Sequence, residues 1–144
     1  MSVVGRDRPG IVAGISRILF ELGCNIEDSS STILSGQFAM LLVVGTPGAV
    51  SPDAFDRAFD GVRGGMGLMI SVNALGDEEL SREKGFKGTP HIISVHGADR
   101  PGIVYRVTQA LADRSVNVTD LNTQVVGSKD RPVYVMVIEA DLPE

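Results

Sequence analysis

Gly5-Arg6-Asp7-Arg8-Pro9-Gly10-Ile11-Val12 returns 92 residues later as Gly97-Ala98-Asp99-Arg100-Pro101-Gly102-Ile103-Val104, identical at seven of eight positions. The register persists downstream: Leu19 matches Leu111, Asn25 matches Asn117 and Asp28 matches Asp120. A four-residue insertion then enters around Lys129 to Arg131, after which Phe38-Ala39-Met40 aligns with Tyr134-Val135-Met136. The chain is a duplication, so a reading of one copy is a reading of both.

Outward from the repeated octapeptide, each copy has the same plan. Val3-Val4 and His91 to His96 read as a first strand. The Asp-Arg-Pro-Gly run then opens a helix. Pro9 and Pro101 are expected in its first turn, where a missing N–H loses no partner. Asp7 and Asp99 are expected where a cap or first-turn carboxylate helps. Ile11, Val12, Ile15, Ile18, Leu19 and Leu22 form one apolar helical face, repeated by Ile103, Val104, Val107, Ala110 and Leu111. Gly23 is a natural stop. A polar strand follows over Asn25 to Leu34 and Val116 to Val126, then an apolar one over Phe38 to Val44 and Val133 to Ala140. In the first copy Ser51-Pro52 starts another helix that buries Phe55 and Phe59 and ends at Gly64-Gly65, and Leu68 to Leu75 supplies a fourth strand.

These elements predict an α+β chain of tandem ferredoxin-like βαββαβ modules, each an antiparallel sheet with helices on one face. The first domain is expected over 1–75, a charged linker over 76–89 and the second domain over 90–144. The second copy stops after its third strand, as a βαββ remnant, so the natural chain is expected to continue beyond Glu144.

Composition narrows the function. The chain has 144 residues, is 43% hydrophobic, and carries a net charge of -5 with a pI near 5.0. That balance argues against direct binding to nucleic-acid phosphates, which needs a concentrated basic face. The longest apolar run, Phe38 to Val44, is far too short to cross a bilayer, so no membrane partner is expected. With one cysteine, Cys24, and no visible signal peptide, a cytoplasmic location is expected. Two histidines, His91 and His96, lie five apart on a predicted strand and so point to opposite faces. No metal-ligand cluster, catalytic triad, P-loop or dinucleotide motif is found, so no catalytic residue, metal or cofactor is expected.

The repeated loop is the sharpest candidate site. A helix N-terminus leaves backbone N–H groups unpaired, and those of Gly10, Ile11 and Val12, or Gly102, Ile103 and Val104, suit a carboxylate. A well-capped turn that packs helix on sheet would use the same residues. Asn25 and Asn117 offer a donor and an acceptor, as a zwitterion requires, or else close a turn. Asp28 and Asp120 can face an ammonium but read better as exposed edge-strand carboxylates. Arg8 and Arg100 pair with a carboxylate, or with Asp7 and Asp99 in a surface salt bridge.

The run Asp-Arg-Pro-Gly-Ile-Val, then a helix, then Asn-Ile or Asn-Val at a second strand, resembles the ACT domain. The tandem arrangement resembles the glycine cleavage system transcriptional repressor group. The resemblance implies a regulatory, non-catalytic module that binds a small amino acid, with glycine or serine first, at an interface between paired ACT domains. It assigns binding to Asp7, Pro9, Gly10, Ile11 and Asn25, and to Asp99, Pro101, Gly102, Ile103 and Asn117. It also implies homo-oligomers through ACT pairing and control of transcription or metabolism through a transcription-factor partner. The alternatives are a regulatory ACT part of a larger amino-acid or one-carbon enzyme, and a ligand-free dimerisation module.

Overall fold

The computed structural model describes residues 1–48, 50–76, 79 and 88–143, and the chain divides into two compact units, Met1–Leu80 and Ser81–Glu144. In the first, β1 (Ser2–Arg6), α1 (Ile11–Glu21), β2 (Asn25–Leu34) and β3 (Gln37–Gly45) are followed by α2 (Pro52–Arg57), α3 (Asp60–Met66) and β4 (Met69–Ser71). The strands form one antiparallel sheet of order β2-β3-β1-β4. The alternation of β3 sets the layers: Phe38, Met40 and Leu42 are buried toward the helices, whereas Leu41 stays exposed on the other face. Against them pack Val3 of β1, Ile11, Ile15, Ile18 and Leu19 of α1, and Phe55 and Phe59, whose rings meet edge to face at 5.3 Å. Each such side chain contributes roughly 1.5–3 kcal/mol by leaving water.

The second unit contains β5 (Thr89–Gly97), α4 (Ile103–Ala112), β6 (Asn117–Ser128) and β7 (Arg131–Leu142), in an antiparallel sheet of order β5-β7-β6. Among its described residues this is the expected βαββ. One helix covers its sheet, so Met136, Ile138 and Ala140 are buried, while Ile93, Val95, Ile103, Val107 and Leu111 are only half-buried against them. His91 pairs with Ala140 and His96 with Val135, which places the two on opposite faces. The linker expected over 76–89 lies largely outside the described residues, and its last residue, Thr89, opens β5.

Several local expectations are corrected. The proline of each loop precedes the helix instead of occupying its first turn. The N-cap is Gly10 at φ 93°, or Gly102 at φ 87°, with no side-chain cap. This left-handed residue turns the chain between strand and helix, a conformation open to glycine and closed to most other residues. Asp7 is therefore no cap; its backbone N–H donates to the Gly36 carbonyl at 2.9 Å and ties the loop to the β2–β3 hairpin. The second helical segment starts at Ser51, whose hydroxyl accepts from the Ala54 N–H at 3.2 Å. It breaks near Phe59, runs on through Gly64-Gly65, and ends at Gly67 with φ 65°. The fourth strand is three residues long, not eight, because it pairs only with Ser2, Val3 and Val4 of β1. Arg63 fastens this region, donating to the carboxylates of Asp56 and Asp60 and to the backbone carbonyls of Asp56 and Ile70. The hydrogen bond to Asp56 is the main cause that holds its guanidinium above the ordinary pKa.

The duplication extends to features below the level of sequence motifs. Both first helices end in a Schellman motif: Gly23 N–H to Phe20 O and Cys24 N–H to Leu19 O, then Ser115 N–H to Ala112 O and Val116 N–H to Leu111 O. Both second strands carry a bulge two residues after the asparagine, between Ile26 and Asp28 and between Val118 and Asp120.

Candidate ligand-binding site

The predicted residues fall into two groups at opposite ends of each sheet. Asp7, Pro9 and Gly10 follow Arg6, which pairs with Gln37, whereas Asn25 pairs with Gly45. Eight residues of β3 separate the two, roughly 26 Å at strand rise. In the second unit Gly97, just before the loop, pairs with Tyr134, and Asn117 pairs with Asp141. There the separation is roughly 23 Å. Helix α1 or α4 runs from one group to the other, which is why an interval of one helix in sequence becomes the length of the sheet in space.

At the loop end, Asp7, Pro9 and Gly10 and their counterparts Asp99, Pro101 and Gly102 are exposed. Ile11 is not: its side chain is a core residue, so only its backbone N–H faces the loop. Ile103 is half-buried, and its N–H leans on the Arg100 carbonyl at 3.4 Å. With glycine at the cap, the amides without an intrahelical partner are those of Gly10, Ile11, Val12 and Ala13, and of Gly102, Ile103, Val104 and Tyr105. The second loop forms an open concavity of about 550 Å³ that Asp99, Arg100, Pro101, Gly102 and Ile103 share with Tyr105 and Tyr134. The tyrosines were not singled out from sequence. Tyr134 aligns with the core residue Phe38, and its phenol was the signal that this position is less enclosed. In the first loop Met66 of α3 stands beside the cap instead, with its methyl 3.8 Å from where a Cβ of Gly10 would lie. The ion pairs among the described residues are Arg17–Glu21, Arg63–Asp56 and Arg63–Asp60, so Arg8 and Arg100 are not tied to Asp7 and Asp99.

At the other end, the bulge changes what the asparagine can do. Residues three apart on a regular strand point to opposite faces. Because the bulge adds one residue, Asn25 opposite Gly45 and Asp28 opposite Val43 share the face not covered by helices. Asn117 and Asp120 repeat this against Asp141 and Glu139. An amide and a carboxylate side by side offer donor, acceptor and negative charge, a set that suits an ammonium group and its neighbour. In the second unit Asp120 also accepts from the Asn122 amide at 2.6 Å. Cys24, between α1 and β2, is half-buried, and burial pushes its thiol pKa up, away from nucleophilic use. Among the described residues, no group of three or more His, Cys, Asp or Glu side chains is placed to hold a metal ion. No helix there is long and apolar enough to cross a membrane.

A duplicated split βαβ module, with a glycine-capped helix N-terminus at one end of the sheet and a bulged polar edge strand at the other, defines a class of small α+β domains. Two family models, each described as ACT domain, match residues 1–59 and 91–144. The chain belongs to the ACT-domain family and carries two ACT domains, regulatory modules of the kind that bind amino acids. It is 57% identical over 44 residues to a UPF0237 protein of Methanopyrus kandleri, covering 31% of this chain and 49% of that one. It is 54% identical over 44 residues, with the same two coverages, to a UPF0237 protein of Methanocaldococcus jannaschii. The chain thus spans about half the length of the curated relatives it matches. Among solved structures, a protein of unknown function from Galdieria sulphuraria superimposes with a TM-score of 0.74 at 26% identity, over 99% of this chain and 80% of that one. A protein provisionally assigned as a glycine cleavage system transcriptional repressor gives a TM-score of 0.64 at 23% identity, over 98% and 77%, a likeness of fold.

Proposed function

We propose that this chain is a cytoplasmic amino-acid sensor in which one small zwitterion, glycine or serine, bridges two ACT modules. The observation that carries the reading is the separation of the site residues. A ligand a few ångströms long cannot touch Gly10 and Asn25 of one module, which lie beyond opposite ends of an eleven-residue helix roughly 16 Å long. It can touch the loop of one module and the β2 start of another when two modules lie antiparallel. The carboxylate then meets the helix N-terminus at Gly10, Ile11 and Val12, or at Gly102, Ile103 and Val104. The ammonium meets Asn25 and Asp28, or Asn117 and Asp120.

Such a ligand favours pairing only through its differential affinity for the paired form. Pairing then presents or hides a surface for a partner, a transcription factor in the leading reading, and the net charge of -5 suits a protein that acts on transcription without holding DNA itself. The test is thermal unfolding of the protein with each of the twenty amino acids. A ligand at a hundredfold excess over Kd adds about 2.7 kcal/mol of stability. A selective shift with one or two small amino acids, accompanied by a larger sedimentation coefficient, supports the sensor. No shift with any of them refutes it and leaves a ligand-free dimerisation module. A selective shift with no change in assembly refutes bridging between chains alone.

A further inference from the structure

The central strand of the second unit is apolar on both faces, yet the unit's helix covers one of them. Val133 to Ile138 is an unbroken apolar run, the pattern of a strand buried on both sides. Met136, Ile138 and Ala140 meet the helix side, whereas on the other side Val133 and Val137 stay exposed and Val135 half-buried. On that uncovered face the alternate residues of β7 read Arg131, Val133, Val135, Val137, Glu139, Asp141. Lys129 lies in the turn just ahead of them. The row is basic at one end, aliphatic in the middle and acidic at the other. Arg131 and Glu139 are exposed, and among the described residues neither they nor Asp141 make an ion pair. Eight residues of strand hold Arg131 and Glu139 roughly 26 Å apart, too far for one to neutralise the other across a Debye length of about 8 Å.

Such a row, reversed and laid on itself, satisfies both ends. A two-fold axis at Val135, running across the strands, sets Val135 on Val135 and Val133 on Val137. Arg131 of one copy then meets Glu139 of the other, and Lys129 meets Asp141. On the neighbouring strand Asp120, opposite Glu139, lands over the position of Ser128, opposite Arg131, so no like charges coincide. Stacked sheets lie about 10 Å apart, within reach of facing Arg and Glu side chains. The face of the first unit fits this row less well. Its central strand presents Gln37, Ala39, Leu41, Val43 and Gly45, all uncharged, and its charges, Arg6 and Asp28, sit on the flanking strands. We propose that the uncovered face of the β5-β7-β6 sheet is an interface on which a second copy of this chain stacks antiparallel, second unit on second unit. Three strands make a face roughly 14 Å wide. That is a small interface, so the pair is reversible and its population depends on concentration.

This inference is independent of the ligand reading and needs no amino acid. The test is sedimentation velocity on the full chain over a concentration series, with no amino acid added. Arg131→Glu and Glu139→Arg each raise the dimer dissociation constant about tenfold or more, since the two-fold axis turns two attractions into two repulsions at once. Both positions are exposed, so circular dichroism should find each variant as folded as the parent. The double variant pairs like the parent, and an equimolar mixture of the two single variants recovers pairing. A chain monomeric throughout the series, its face bare or covered by its own first unit, overturns the proposal. So does a dimer that both reversals leave intact, or a double variant and a mixture that stay as weak as the single variants.

Discussion

The two Schellman motifs form a matched pair that differs at one decisive position. The left-handed residue is Gly23 at φ 70° in the first unit and Ser115 at φ 57° in the second. An L-residue in this conformation is strained by roughly 1–2 kcal/mol. Glycine there gives back about 0.5–1 kcal/mol through the greater entropy of its unfolded chain. Ser115→Gly should therefore stabilise the second unit by about 0.5–1 kcal/mol. The reciprocal Gly23→Ser should destabilise the first by a similar amount. A Cβ at Gly23 would meet only the Pro47 ring, at 3.8 Å, an ordinary contact, so backbone conformation is the whole of the effect. The sequence supplies the probe. Both tyrosines, Tyr105 and Tyr134, belong to the second unit and the chain has no tryptophan, so tyrosine fluorescence in urea follows that unit while far-ultraviolet circular dichroism follows both. The expected result is a tyrosine-detected midpoint that rises with Ser115→Gly at constant m-value. An unchanged or lower midpoint refutes the assignment of strain to Ser115.

Phe59 is fully enclosed, so Phe59→Ala should cost about 3–5 kcal/mol and unfold the first unit at markedly lower urea. Asn25→Ala and Asp28→Asn change exposed side chains; each should leave stability within about 0.5 kcal/mol. Each should weaken the amino-acid response by about 1–3 kcal/mol, which titration calorimetry reads directly. Gly10→Val combines two effects, since φ 93° strains a β-branched residue although space is available. It should lose about 1–3 kcal/mol of stability together with ligand response, and retention of full stability would show that the loop has rearranged.

Much of the fold was legible because the repeat supplied two readings of one pattern. The alternation of β3 and the helical face from Ile11 to Leu22 each fix a buried side, and both were read directly. The errors share a cause: they arise where backbone conformation, not side-chain periodicity, decides. Helical periodicity puts Pro9 in the first turn of the helix. In fact a positive φ at Gly10 makes it the cap and leaves Pro9 outside. Gly64-Gly65 looked like a stop, yet the stop is Gly67, again at positive φ. The bulge after Ile26 is invisible to a period-two count, and it is what brings Asp28 to the side of Asn25. The distance between the loop and Asn25 was equally hidden, since sequence spacing gives the helix between them but not the end of the sheet at which each lies.

That distance makes assembly and ligand response one equilibrium, with a consequence sharper than binding itself. If a single module held the whole site, half-saturation would not depend on protein concentration. If the loop of one module and the Asn25 end of another form the site, the competent state is a pair, and apparent affinity is reduced by the fraction of modules unpaired. Where pairing joins separate chains, dilution from tenfold above to tenfold below the pairing constant should raise the half-saturating ligand concentration several-fold. Asn25→Ala mixed with Gly10→Val gives the complementary readout. Each variant alone lacks one half of the first module's site, whereas a mixture of the two can assemble one intact site from the loop of one chain and the β2 start of the other. Affinity restored in the mixture, above the weakened response of either variant alone, is the expected result. Half-saturation that stays fixed on dilution, together with no recovery in the mixture, would place the whole site within one chain and refute bridging between chains.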